Sequence, residues 1–147
     1  MEFDGRALEP LSPGECMRLI GQVSLGRIVY TRQALPAVEL VNFALDGGDI
    51  IIRTDSSGKL AAATRGAVVA FEADSVDAGD HTGWSVTIVG YSQAVSDREE
   101  IRHLEQVELN PWAPGKRDHF IRISPSIVNG RRIDAHHVIG DGDESPY

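Results

Sequence analysis

Alternating apolar and polar positions dominate the chain, and helical spacing interrupts them only at its margins. Ser12-Pro13-Gly14-Glu15 reads as a helix start: Ser12 can cap, Pro13 suits the first helical position and Glu15 completes a capping box. Cys16, Leu19, Ile20 and Val23 then recur on one helix face, and Gly21 weakens the end. From Leu25 the character changes. Residues 26–31 are β-branched and aromatic, residues 37–45 form a second strand, and Asp46-Gly47-Gly48-Asp49 is a hairpin turn returning into the strand 50–54. Asp55-Ser56-Ser57-Gly58 opens a short helix through Lys59-Leu60-Ala61-Ala62-Ala63, which Gly66 can end. Strands follow at 67–73 and 84–95, the latter with Gly90 as a bulge or bend. Ser96-Asp97-Arg98-Glu99 repeats the capping box and starts a third helix carrying Ile101, Leu104 and Val107. Two last strands are expected at 119–124 and 126–133, separated at Pro125.

Six or seven hairpin-linked strands with few helices predict a mainly β fold, an antiparallel, Greek-key-like barrel with marginal helices. Residues 1–11 read as a lead-in, 12–133 as the barrel domain and 134–147 as a polar tail containing Gly140-Asp141-Gly142-Asp143-Glu144.

Composition narrows the function classes. The 147 residues carry 14 basic and 22 acidic side chains, a net charge of −8, so neither nucleic acid nor an anionic lipid surface is an expected partner. One cysteine, Cys16, permits no intramolecular disulfide; with no signal-peptide pattern at Met1-Glu2-Phe3-Asp4 and no membrane-length apolar run, a cytoplasmic protein is expected. His81, His103 and His119 lack ligand-spaced companions, and the adjacent His136 and His137 would face opposite ways in a strand, so no metal site is expected. No Ser/His/Asp nucleophile pattern is present, and Cys16 reads as core packing.

The segment Arg53-Thr54-Asp55-Ser56-Ser57-Gly58-Lys59 carries the most chemistry. A strand ends, a Ser/Gly turn follows and a helix begins, where unpaired backbone N–H groups welcome an anion. Arg53 can fork two hydrogen bonds to a phosphate, Lys59 adds a point charge, and Thr54 and Ser57 offer hydroxyls. The same spacing also suits Ser57 merely capping the helix with Arg53 and Lys59 in solvent. Glu39, Val41 and Asn42 lie on a strand that could read the edge of a flat heterocycle, or could be ordinary barrel residues. Trp84, at a strand start, suits ring stacking or core. Trp112, held in Pro111-Trp112-Ala113-Pro114-Gly115, suits a ring contact or a plug for the barrel end.

Taken in order, Leu11-Ser12-x-x-Glu15-Cys16, Leu25-Gly26-Arg27-Ile28, Val41-Asn42-Phe43, Arg53-Thr54 with Gly58-Lys59-Leu60, Gly83-Trp84-Ser85-Val86 and the Trp112 loop resemble the pyridoxamine 5′-phosphate oxidase-like family. The resemblance runs from about Leu11 to Ile133 and is nearest the short actinobacterial-type branch, which includes nitroimidazole-resistance-like proteins. It implies a split β-barrel that dimerises, with two FMN sites at the subunit interface and an oxidoreductase acting on a small-molecule substrate. It implies the FMN phosphate at Arg53, Thr54, Ser57 and Lys59 and the isoalloxazine against the strand from Glu39 to Asn42; Trp84 and Trp112 are the further candidates for contact with the ring. FMN is expected over flavin adenine dinucleotide because no second nucleotide-binding fingerprint is present. Deazaflavin F420 could use the same anion pocket, and a non-catalytic carrier or sensor for flavin or haem is the alternative of another class. Glu39 departs from the neutral residue common in this family, and an unpaired carboxylate there would disfavour an anionic reduced flavin.

Overall fold

The computed structural model describes residues 7–54, 57–107 and 119–134. Seven strands and three helices follow one another as β1 (Ala7–Pro10), α1 (Pro13–Ile20), β2 (Leu25–Arg32), β3 (Leu35–Asp46), β4 (Asp49–Thr54), α2 (Lys59–Thr64), β5 (Val68–Asp77), β6 (Thr82–Ala94), α3 (Arg98–Glu105) and β7 (His119–Asp134). All strand pairings are antiparallel, in the order β1-β7-β4-β3-β2-β5-β6, and a further β6–β7 ladder closes the sheet on itself. The result is a six-stranded barrel with β1 laid on the free half of a β7 edge whose other half β4 occupies.

Local chemistry accounts for most boundaries. Ser12 caps α1 by accepting from the Glu15 N–H at 3.2 Å, and Pro13 takes the first turn. Gly47 and Gly48, at φ of 60° and 90°, make the two-residue β3–β4 hairpin that only residues tolerant of positive φ build cheaply. Ile28, Phe71, Ile88, Ile52, Ile121 and Ile123 fill the barrel, with Cys16 and Ile20 of α1 packed against them. Burial and the charge of Glu15 push the Cys16 thiol above its ordinary value, as suits a packing residue.

Three expectations are corrected. The lead-in contains β1, which pairs Ala7 to Pro10 with Asp134 to Arg131. The cap of α3 is Asp97, which accepts from Glu100 N–H at 3.0 Å, one residue later than the Ser96 box predicts. Pro125 does not divide the last strand. β7 runs through it because the β6–β7 register slips there, Val89 facing Ile127 and Gly90 facing Pro125. The bulge removes the need for a proline N–H, and any side chain at position 90 would collide with the Ser124 carbonyl.

A second, smaller core lies outside the barrel. Ile51 and Phe120 point away from the interior and are covered by Leu104 of α3, with Ala44, Ile101 and Val107 around them. Arg122 pins this helix. It reaches Glu100 at 2.8 Å, Asp49 at 2.9 Å and Asp46 at 3.0 Å, and His103 meets Asp46 at 2.9 Å. The hydrogen bonds from His103 and Arg122 hold the Asp46 carboxyl below its ordinary value. Among the described residues no helix is long and apolar enough to cross a membrane.

Candidate functional site

Strand register decides which of the expected residues meet. The β3–β4 ladder pairs Phe43 with Ile52, both buried in the barrel. Asn42 and Arg53 are the next residues on either strand, so by alternation they leave together from the outer face. Arg53 confirms the direction. It stands opposite Phe120, and its guanidinium lies over that ring, 5.1 Å from the centroid, at the edge of the face that α3 covers. Asn42 donates to the Ser24 carbonyl at 3.4 Å.

The same alternation turns Glu39 and Val41 to the other side. Val41 packs against the barrel core. Glu39 accepts from the Tyr30 hydroxyl at 2.8 Å, and Tyr30 is itself a barrel-core residue. Burial first, then the hydrogen bond and charge of Glu39, push the Tyr30 phenol above its ordinary value. The Glu39 carboxylate therefore has a hydrogen-bond donor in Tyr30, a neutral group that leaves its negative charge in place. The outward residue between Val38 and Asn42 is Leu40, 62% exposed, which the sequence reading missed. Counting back by two from Asn42 finds it.

Thr54, Ser57 and Lys59 follow Arg53 into α2. Thr54 is buried and donates to the His119 carbonyl at 3.4 Å. Ser57 accepts from the Lys59 N–H at 3.3 Å from the turn ahead of the helix, and Lys59 itself is exposed. Gly58, at φ +67°, is the N-cap residue with no side-chain cap, and α2 is only six residues long. So short a helix has little macrodipole, and the attraction for an anion here rests on the side chains of Arg53 and Lys59. A guanidinium, an ammonium and hydroxyls at one strand end are a donor set suited to a phosphate.

Trp84 is not brought to this cluster. β2 and β5 stand between β3 and its strand β6. It pairs with Ser75, whereas α2 delivers the chain to the Val68–Tyr91 end of the same ladder, roughly 23 Å of strand away. Trp84 is half-buried against the barrel core and lines an open groove of about 730 Å³ with Asp77, Thr82 and Arg132. Trp112 lies outside the described residues.

Register also exposes a feature with no counterpart in the sequence reading. Val38, Val29, Ala70, Val89 and Ile127 are successive ladder partners across β3, β2, β5, β6 and β7. They form one apolar row on the outer face. Val38 is 60% and Ile127 52% exposed, and Leu40, Val68 and Tyr91 flank the row, each more than half exposed. On β3 the row begins at Val38, and Leu40 separates it from Asn42.

The family model described as pyridoxamine 5′-phosphate oxidase matches residues 12–132. An uncharacterized protein of Mycobacterium tuberculosis is 41% identical over 135 residues, 88% of either chain. Among solved structures, the FAD binding protein from Mycobacterium smegmatis superposes with a TM-score of 0.72 at 33% identity, over 84% of this chain and 97% of that one. The FAD and heme binding protein from the same organism shares the fold, with a TM-score of 0.68 at 12% identity over 93% of this chain and 82% of that one. With its split antiparallel barrel and a family match over nearly its whole length, the chain belongs to the pyridoxamine 5′-phosphate oxidase family.

Proposed function

We propose that the chain is a flavin-binding oxidoreductase that works as a homodimer on a small-molecule substrate. The carrying observation is the layout of one face: the Arg53–Asn42 pair, with Lys59 beyond it in the chain, shares the outer face with an apolar row five strands wide that is exposed at both ends, and Leu40 stands between the two. A flavin phosphate needs the first and a flat apolar ring needs the second. Arg53 and Lys59 hold the phosphate, with Ser57 fixing the turn between them, and Leu40 and Asn42 present an apolar contact and an amide beneath the ring. The flavin supplies the electron-transfer chemistry, and the protein supplies orientation and exclusion of water.

An apolar face of this extent rimmed by polar residues calls for a partner. A second copy laid on the row both buries it and covers the ring. FMN satisfies the phosphate cluster by itself. FAD is the second reading, since the 33% identical Mycobacterium smegmatis relative is an FAD binding protein and shares this barrel. The visible spectrum of the purified protein, followed by titration with riboflavin, FMN, FAD, F420 and haem, tests the reading. Flavin absorbance with FMN or FAD binding at least tenfold tighter than riboflavin is expected. Equal affinity for riboflavin would overturn the phosphate anchor, and a haem or F420 spectrum would move the chain to a different cofactor class.

A further inference from the structure

β5 presents Glu72 and Asp74 on the outer face, two residues apart and beside the apolar row. One cation serves both. Arg27, opposite Glu72 on β2, places Nη1 3.1 Å from Glu72 and 3.6 Å from Asp74. The other neighbours are neutral: Thr87 and Ser85 face the two carboxylates from β6, and Leu40 stands beyond Arg27 on β3. The turn before β2 borders Asp74 with Gln22, Val23 and Ser24, also neutral. Among the described residues the next basic one on this face is Arg131, paired to Ser85 and thus two strands from Asp74. Among the described residues, therefore, two carboxylates share one guanidinium while their side chains are already only 26% and 35% exposed.

We propose that the Arg27–Glu72–Asp74 cluster couples closure of this face to proton uptake, so that the homodimer tightens as pH falls. This rests on the reading that a second copy covers the apolar row. Seating that copy strips most of the remaining water from the cluster, and the second negative charge then has neither solvent nor a cation of its own. The carboxylate pair answers by binding one proton from solvent, becoming one carboxylate and one carboxylic acid that hydrogen-bond each other. The electrostatics of the single chain already lean this way: burial, and behind it Asp74, push the Glu72 carboxyl up to about 7. Linkage then requires the species that binds more protons, the dimer, to be favoured in acid.

The test is the dimer dissociation constant of the full chain, measured by fluorescence-detected sedimentation on dilution at pH 5.5, 6.5, 7.5 and 8.5 and constant ionic strength. Subunit exchange between donor- and acceptor-labelled chains gives the dissociation rate if the dimer is too tight to dilute apart. Between pH 6.5 and 8.5 the constant, or the rate, should rise several-fold per pH unit, with a ceiling for the constant of about a hundredfold per unit, tenfold for the proton linked to each of the two clusters. Glu72→Gln should abolish the rise and stay tight at pH 8.5. A dimer with the same constant at every pH, or one tighter in alkali because the partner supplies a cation, overturns the proton linkage and leaves the dimer standing. A monomer at every pH overturns the dimer reading itself.

Discussion

The outer face of the barrel divides into two halves that the chain treats differently. Over β4 and the start of β7, Ile51 and Phe120 are sealed by Leu104 of α3, and Arg122 ties Glu100 of the helix to Asp46 and Asp49 at the β3–β4 turn. Over β3, β2, β5, β6 and the rest of β7, residues of the same character, Val38, Leu40, Val68, Tyr91 and Ile127, stand in solvent. Both halves obey the same outward alternation, so the sheet cannot tell them apart. The difference lies in what the chain supplies to cover them. One half has its own helix, and the other carries a cluster with too few cations to be finished. The candidate site sits on the seam, with Arg53 on the covered side and Leu40 on the bare one.

Substitutions should break that contrast in graded ways. On the covered half, Leu104→Ala removes a fully buried side chain and should cost about 2–5 kcal/mol in a urea melt, whether the protein is monomer or dimer. Arg122→Ala leaves three carboxylates facing one another and should cost roughly 2–3 kcal/mol, with the loss shrinking in acid as they protonate. On the bare half, Leu40→Asp should leave the monomer within about 0.5 kcal/mol of the parent. It should also weaken the dimer by on the order of a hundredfold in sedimentation, and a dimer that survives it would place the interface elsewhere. At the seam, Arg53→Ala should weaken FMN binding roughly ten- to a hundredfold in a fluorescence titration while hardly affecting riboflavin.

The smallest effect is a difference of sign in the pH dependence of unfolding. Asp46 is held below its ordinary value by His103 and Arg122, so its contribution is present above the unfolded carboxyl value of about 3.9 and is lost as pH falls through the folded one. Glu72 is pushed from 4.5 up to about 7, so its contribution is full below the unfolded value and is lost as pH rises to and through 7. Urea midpoints between pH 3 and 8 should therefore decline at both ends, with Asp46→Asn flattening the acid limb and Glu72→Gln the neutral one.

Much of the architecture was legible because its causes are local. Ser12-Pro13, Gly47-Gly48 and Gly90 each state a backbone requirement that any fold must honour. What was not legible depends on distant partners. Ala7 to Pro10 is a strand only because the far end of β7 offers it an edge, and Pro125 stays inside a strand only because β6 slips beside it. Arg53 and Asn42 were found from residue chemistry and proved to be neighbours. Glu39 and Val41 share a strand with Asn42 but turn to the barrel side, and the distance of Trp84 from α2 is fixed only by the hairpin topology. The apolar row could not be read at all, since its five members come from five strands brought into register by folding.

β7 has a consequence for the order in which the molecule comes into being. It is the partner of β1, β4 and β6 at once, and it follows them all in the chain. A nascent chain emerging from the ribosome up to α3 would hold a sheet with two unsatisfied margins, at β4 and at β6, and a β1 with nothing to join. Closure waits for His119 to Asp134, so folding on the ribosome should be late and abrupt rather than gradual. Arrest at successive lengths, read by protease protection, should show protection arriving only once the whole of β7 has cleared the exit tunnel.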